Sequence, residues 1–521
     1  MPKLLRYARA GHAGGRLAQS GARDRLAFMH AENVSVGAAF GLSYADLTPG
    51  PRRLFRRLGV VPEPDIDAYA AAALDGTDLA TARRHLDELY DQHLITEPAP
   101  GRYQLHDLLR EHARTLAAND DPAQASEAAG RLLDYYLDTT LAAAPHFTTR
   151  AIAGRRPPPH RRPGQAPDMP APEQAAAWLD AEQANLYAAA EYAADRAWLP
   201  HAIAIPLAMS GFLTARGRFD QAAALHRGAV SSARRAGDRH GEAAALAELG
   251  FVQRATGDYR AAAASLAEAA AISSDIGDRP GHAHALVELG FLEAITGDYP
   301  AAIATQQQAL ALARDTGDRL TQATAFNHLG FVQHLTGDYP AAAASQQHAL
   351  TLFGELGNQL GQASARNDLG LVQQQTGDYP AAAASHQQAL ALFGDAGNPL
   401  GQAEALNRLG ELATRTSATR QARGHHAQAL AIARDLGAAP EEARALEGLG
   451  QSHLRDGDPG EAATRLRQAL TIYQRISAAD AERVQKILHD HGTLKPAGGG
   501  QAAQGVVAQP RRAAAEHARD A

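Results

Sequence analysis

The sequence of 521 residues predicts an all-α protein: a superhelical solenoid of 40-residue units, preceded by a small domain of helices and one hairpin and by a helical connector. Three observations predict this. Leu-Gly recurs at Leu249, Leu289, Leu329, Leu369, Leu409 and Leu449, always 40 residues apart. Gly-Asp-Tyr keeps step with it at Gly257, Gly297, Gly337 and Gly377, and a Gly-Asp or Gly-Asn pair does so at Gly237, Gly277, Gly317, Gly357 and Gly397. Proline follows the tyrosine at Pro300, Pro340 and Pro380, in a first helical turn where its missing N–H costs nothing. A fixed period over so long a stretch marks a solenoid, in which each unit buries its apolar face against its neighbours.

Taken in order, residues 1–40 are a broken helical pattern. Residues 41–118 form a compact mixed domain. Ser43 is placed to cap a helix running through Tyr44, Leu47, Leu54 and Leu58, interrupted by the turn residues Thr48–Pro51. Helical patterns follow over Ile66–Leu74 and over Asp78–Tyr90, the second capped by Asp78. LITEPAPGRYQLH is two β-prone runs around Pro98–Gly101, a hairpin. Three helices and a hairpin make a winged helix. Residues 119–199 are a helical connector broken by a Pro/Arg-rich loop over 153–172, with Trp178, Leu179, Leu186 and Tyr192 marking its last helix. The solenoid occupies 200–492, with Ala479–His489 as a closing helix. The Gly/Ala/Gln-rich tail 493–521 is expected to be disordered.

Composition excludes several classes. With no cysteine there is neither a disulfide framework nor a thiolate metal site, and a cytoplasmic protein is expected. No apolar run is long enough to span a membrane, so no membrane partner is expected. A net charge of −7 leaves no global nucleic-acid footprint. His106, His112 and His334 are scattered. His282 and His284, two apart on a helix, face different ways, so neither catalysis nor a metal site is expected, and no cofactor.

A 40-residue period alone also fits HEAT or armadillo units; the internal spacing decides. From each Leu-Gly glycine a tyrosine follows at nine residues, a small residue at twelve (Ala262, Ala302, Ala342, Ala382) and alanine at nineteen (Ala269, Ala309, Ala349, Ala389, Ala429, Ala469). Over residues 200–478 this resembles the tetratricopeptide repeat (TPR). Six units are clear, Gly217-Arg218-Phe219 marks a degenerate one before them, and Thr416-Ser417-Ala418-Thr419 replaces Gly-Asp-Tyr in a worn unit expected to pack less well. The resemblance implies a protein or peptide ligand on the concave face lined by the first helix of each pair. That face would carry Asn327, Asn367 and Asn407, whose amides offer a donor and an acceptor to an extended backbone, and Phe251, Phe291, Phe331 and Leu371. Solvated surface is the competing reading of the asparagines, and the favoured one for Gln306–Gln308, Gln346, Gln347 and His386–Gln388.

Ser43–Leu47, Arg52–Gly59 and Gly101–Leu109, with the connector segment Trp178–Glu182 and Asn185-Leu186, resemble the winged-helix and TPR part of NB-ARC nucleotide switches of the STAND class, as in SARP-type actinobacterial regulators. The resemblance implies that residues 1–40 are a remnant of an NB-ARC-like core. It also makes Leu105-His106-Asp107 the counterpart of a Met-His-Asp motif whose histidine contacts the β-phosphate of ADP, with Asp107 capping the next helix. The alternative for His106 is a structural hairpin end. None of Lys3, Lys486 and Lys495 lies in a P-loop, so the ATPase core is expected to be missing and His106 to bind nucleotide only if such a core is supplied. A regulatory adaptor is therefore expected. An ADP-binding switch, or a DNA-binding regulator using the basic face Arg52, Arg53, Arg56 and Arg57, is the alternative; the acids of Asp78–Tyr90 weaken the DNA reading. No oligomeric state is assigned.

Overall fold

The computed structural model of the chain describes residues 40–60, 65–147, 166–476 and 478–491. The expected N-terminal remnant before residue 40, loop residues 153–165 and the tail 493–521 lie outside the described residues.

The N-terminal domain comprises α1 (40–46), α2 (Pro49–Val60), α3 (Ala68–Asp75), α4 (Leu79–Asp91), β1 (Thr96–Ala99), β2 (Arg102–Gln104) and α5 (Asp107–Ala117). Asp67 caps α3 by accepting from Ala70 N at 2.7 Å, and Asp78 caps α4 by accepting from Thr81 N at 2.9 Å, each satisfying an orphan donor of the first turn. The antiparallel hairpin β1–β2 gains a third rung where Ile66 and Tyr103 exchange backbone hydrogen bonds of 2.8 Å in both directions. Leu54, Phe55, Leu74, Leu86, Leu89 and Leu94 fill the core with no more than a trace of exposed surface.

Three local expectations are corrected. Ser43 lies inside α1 and does not cap a helix; α2 starts at Pro49, because prolines fit a first turn. Ile66 belongs to the bridge beside the wing and not to a helix, which starts only after the Asp67 cap. Asp107 is the first residue of α5, and His106 occupies the cap position without a side-chain bond to the helix.

The arginine face is also spent internally. Arg53 and Arg57 reach Asp75 at 2.8 and 2.9 Å, and Arg56 reaches Asp120 at 2.8 Å. Arg52 donates to the backbone oxygens of Tyr44 and Ala45. Asp75 is only 4% exposed, and a carboxylate so buried needs such partners. The basic face that the sequence offered to DNA is therefore a clamp on the domain's own core.

The connector is α6 (Pro122–Ala143) and α7 (Pro172–Asp195). Glu182 of α7, 1% exposed, binds Arg102 of β2, which also holds Asp65, while Asn185 donates to Glu182 and Asp65 at 2.6 and 3.1 Å. Two residues before Glu182, Asp180 of α7 holds Arg216 at 2.7 Å and Arg218 at 3.5 Å. A polar seam thus runs from the wing, along α7, to the first turn of the solenoid.

Seven helix pairs follow: α8 (Leu199–Ala215) with α9 (Phe219–Ala236), α10 (Arg239–Ala255) with α11 (Tyr259–Asp275), α12 (Arg279–Thr296) with α13 (Tyr299–Thr316), α14 (Arg319–Leu335) with α15 (Tyr339–Glu355), α16 (Gln359–Gln375) with α17 (Tyr379–Asp395), α18 (Pro399–Arg415) with α19 (Thr419–Leu436), and α20 (Ala439–Arg455) with α21 (Pro459–Ile476). The closing helix is α22 (Ala478–Asp490), with Val484 and Leu488 buried. The aspartate of each Gly-Asp-Tyr caps the second helix of its pair; Asp338, for example, accepts from Ala341 N at 3.2 Å. Its preceding glycine, Gly337, holds φ at +85°, a left-handed value that a Cβ disfavours.

The Leu-Gly glycine lets the second helix approach. A Cβ on Gly330 would lie 2.7 Å from Gln346 Nε2 and 3.1 Å from Ala342 O. This overturns the reading of the glutamine runs as solvated surface. Gln307, Gln308, Gln347 and Gln388 are exposed, but Gln306, Gln346 and His386 are fully buried, each opposite the glycine of its own unit. Leu266 and Leu466 hold the same place in their units.

The solenoid also returns on itself. Leu436, ending α19, packs on Gly217 in the first pair's turn, and Arg216 Nη1 lies 3.5 Å from where a Cβ on Gly397 would sit. A Cβ on Gly257, in the second pair, would lie 2.8 Å from Ile476 and 3.6 Å from Pro440 of the seventh.

Candidate functional site: the inner face of the solenoid

Phe251, Phe291, Phe331 and Leu371 sit at the same place in four successive first helices (α10, α12, α14 and α16), so they form a ladder across units. The Phe291 and Phe331 centroids are 5.4 Å apart, and His328 closes on Phe291 at 4.4 Å. Arg254 lies between the first two rungs, 4.8 Å from the Phe251 centroid and 4.7 Å from Phe291, and donates to Glu288 at 3.3 Å. A guanidinium between two aromatic faces is a favourable cation–π arrangement. Phe251 and Phe291 remain half-buried, whereas Phe331 and Leu371 are 9% and 5% exposed.

The three asparagines are buried, at 6%, 4% and 0% exposed, and each is held differently. Asn327 Nδ2 donates to Asp368 at 3.1 Å, and its Oδ1 receives no donor. Asn367 Oδ1 accepts from His386 Nδ1 at 2.8 Å. Asn407 is consumed on both sides, accepting from His426 Nδ1 at 3.1 Å and donating to Glu441 Oε2 at 2.8 Å. Because an amide oxygen only accepts, both histidines carry their proton on Nδ1. Burial pushes His386 and His426 down to about 4, so they stay neutral.

Beyond the ladder lies a charged stretch. Glu411 pairs with Arg408 at 3.1 Å and Arg444 at 3.6 Å, and Arg444 pairs with Glu441 at 3.1 Å. Burial opposes ionisation of Glu411, but Arg408 and then Arg444 hold it down at about 2. Burial raises Glu404, with Glu441 and Asp368 adding to the effect, and raises Asp368 to about 6. Arg254 of the second pair acts on Glu404 of the sixth, as the return of the solenoid on itself requires. His334 is pushed down to about 4 by burial, then by Arg408 and Arg415.

Sequence reading named the ladder and the asparagines but missed Arg254, Asp368, Glu404, Glu411 and Arg444. The signal was available in the repeat register: Glu404 and Arg444 stand 40 residues apart at positions where the earlier units carry Ala244, His284, Thr324 and Ser364. His106 is elsewhere, an exposed residue at the start of α5. No described helix is long and apolar enough to cross a membrane.

The tetratricopeptide repeat family matches residues 281–355, 321–395 and 401–475, so the solenoid is built of TPR units. The regulatory protein AfsR of Streptomyces griseus is 34% identical over 241 residues, 46% of this chain and 24% of AfsR. AfsR of Streptomyces coelicolor is 36% identical over 188 residues, 35% of this chain and 18% of that protein. The chain therefore spans a quarter or less of these curated relatives. Among solved structures, it is similar to a signal transduction ATPase with numerous domains (STAND) with a TPR sensor from Pyrococcus horikoshii, at 16% identity, TM-score 0.42, covering 86% of this chain and 66% of that one. It is also similar to the Rap conjugation gene regulator of plasmid pLS20 in complex with the Phr* peptide, at 12% identity, TM-score 0.46, covering 69% and 96%.

Proposed function

We propose that this chain is a non-catalytic regulatory module of the cytoplasm, which binds a protein or peptide along the inner face of its TPR solenoid and relays occupancy to its N-terminal domain in transcriptional or signalling control. The observation that carries the reading is the inner face itself. An aromatic ladder stands beside asparagine amides of which two are only half satisfied: Asn327 Oδ1, and Asn367 Nδ2, for which no partner stands among the described residues. An extended backbone supplies the matching donor and acceptor. Similarity to AfsR supports the regulatory part, and the seam from Arg102 through Glu182 and Asp180 to Arg216 supports the relay. The helices and three-runged wing of residues 41–118 support a winged helix, which we take as the output element.

Panning random dodecapeptides, displayed between Gly-Ser linkers, on the full chain should enrich a defined sequence class. Phe291→Asp should abolish that enrichment while circular dichroism remains that of a folded helical protein. Absence of enrichment on the wild-type chain would sink the reading.

A second reading, the ADP-gated switch, rests on His106, whose side chain is exposed at the head of α5 and makes no cap bond. Bound ADP would raise the melting temperature by mass action. We expect no shift with ADP; a shift lost in His106→Ala would establish the switch.

A further inference from the structure

The charges along the inner face do not balance. Arg408 and Arg444 are committed to Glu411 and Glu441, and Arg483 to Glu447 at 2.6 Å. Asp368 is left with the Asn327 amide, and Glu404 with no hydrogen-bonded or ionic partner among the described residues. Asn327 adds an independent sign. Facing a carboxylate, it must present Nδ2 to Asp368, which leaves Oδ1 buried in a residue 6% exposed and without a donor. A buried acceptor left unpaired is costly, and a ligand donor at that spot removes the cost. Every unsatisfied group here can accept a hydrogen bond, and a cation at this spot would hold the buried Asp368 and Glu404 carboxyls in their charged form.

We propose that the peptide taken by the inner face carries a basic side chain, whose N–H donors are shared by Asp368, Glu404 and Asn327 Oδ1 while adjoining apolar residues lie on Phe291, Phe331 and Leu371. This rests on the peptide-binding reading and specifies its ligand. A guanidinium suits the site best, because its fork of five donors can serve acceptors on two or three helices at once. An anionic peptide is excluded by the same surplus: it would meet Glu404 and Asp368 with the nearest arginines already paired.

The test uses the same dodecapeptide library, whose linkers keep the free amino terminus away from the randomised residues. Enriched peptides should carry arginine or lysine beside an aliphatic or aromatic residue. The affinity of the strongest should fall at least tenfold in Glu404→Gln and in Asp368→Asn, and by a similar factor when the peptide's basic residue becomes glutamine. Combining the neutral peptide with Glu404→Gln should add little further loss, since both changes remove one interaction. Both variants replace a buried carboxyl that has no ion-pair partner among the described residues by a neutral amide of the same size, so both should melt no lower than wild type. Enrichment of peptides lacking basic residues, or affinity unchanged in both variants, overturns this inference and leaves the peptide reading standing. No enrichment at all overturns both.

Discussion

His426 shows how one residue couples the interior to its chemistry. It sits between the glycines of two neighbouring first helices, Gly410 and Gly448, where a leucine stands in the second and seventh units. Burial lowers its pKa from the model-peptide range to about 4, so the folded protein holds it neutral. For a base with a depressed folded pKa, the unfolded chain takes the proton first. Stability is therefore lost as pH falls from about 6.5 toward 4. The expected loss at pH 5 is about 2 kcal/mol from this residue alone. His426→Leu should flatten the acid limb of the melting-temperature profile by that amount, while lowering stability at pH 7 because Asn407 Oδ1 loses its donor. An unchanged acid limb would show that His426 titrates normally in the folded state.

At the scale of the element, the worn unit is informative. Its helices α18 and α19 form at full length, with Ala422, Ala429 and Ala433 buried, although Gly-Asp-Tyr is gone. The cost is local. Ser417 takes the glycine's left-handed place at φ +62°, and Ala418 offers no cap. Left-handed backbone costs a non-glycine residue roughly 1–2 kcal/mol, and a missing cap about 1 kcal/mol. Ser417→Gly and Ala418→Asp should each raise stability by about 1 kcal/mol, measurable as added protection of the α19 amides in hydrogen exchange. No gain in either would mean that tertiary packing from the neighbouring units already sets the local stability.

At the scale of the whole molecule, the contact of the first turn with the sixth unit joins what the chain separates. Asp180 holds Arg216 and Arg218 on either side of Gly217, and Leu436 packs on that glycine. A change in superhelical pitch on the inner face would move this turn, and with it the seam to the wing. Leu436→Asp should open the return contact, raising the radius of gyration in small-angle scattering with helical content unchanged. An unaltered radius would show that the solenoid keeps its curvature without the contact.

The repeat ladders, the cap of α4 and the hairpin were legible in the sequence because glycine, proline and aspartate act within a few residues of themselves. Ser43 and Asp107 were misplaced because helix ends shift when tertiary neighbours compete for the same donors. The inner-face asparagines and ladder were legible by register, yet their state was not: whether an amide is free depends on His386, His426, Asp368 and Glu441, which come from other helices. The sequence by itself determined the unit, its period and its packing glycines, since these depend on contacts within a unit and with its immediate neighbours. Tertiary structure alone decided that Gln346 is core, that Arg53 and Arg57 face Asp75, that Leu436 reaches Gly217, and that Glu404 has no hydrogen-bonded or ionic partner among the described residues. Those outcomes depend on superhelical curvature and on charges brought together from distant helices, which no local pattern encodes.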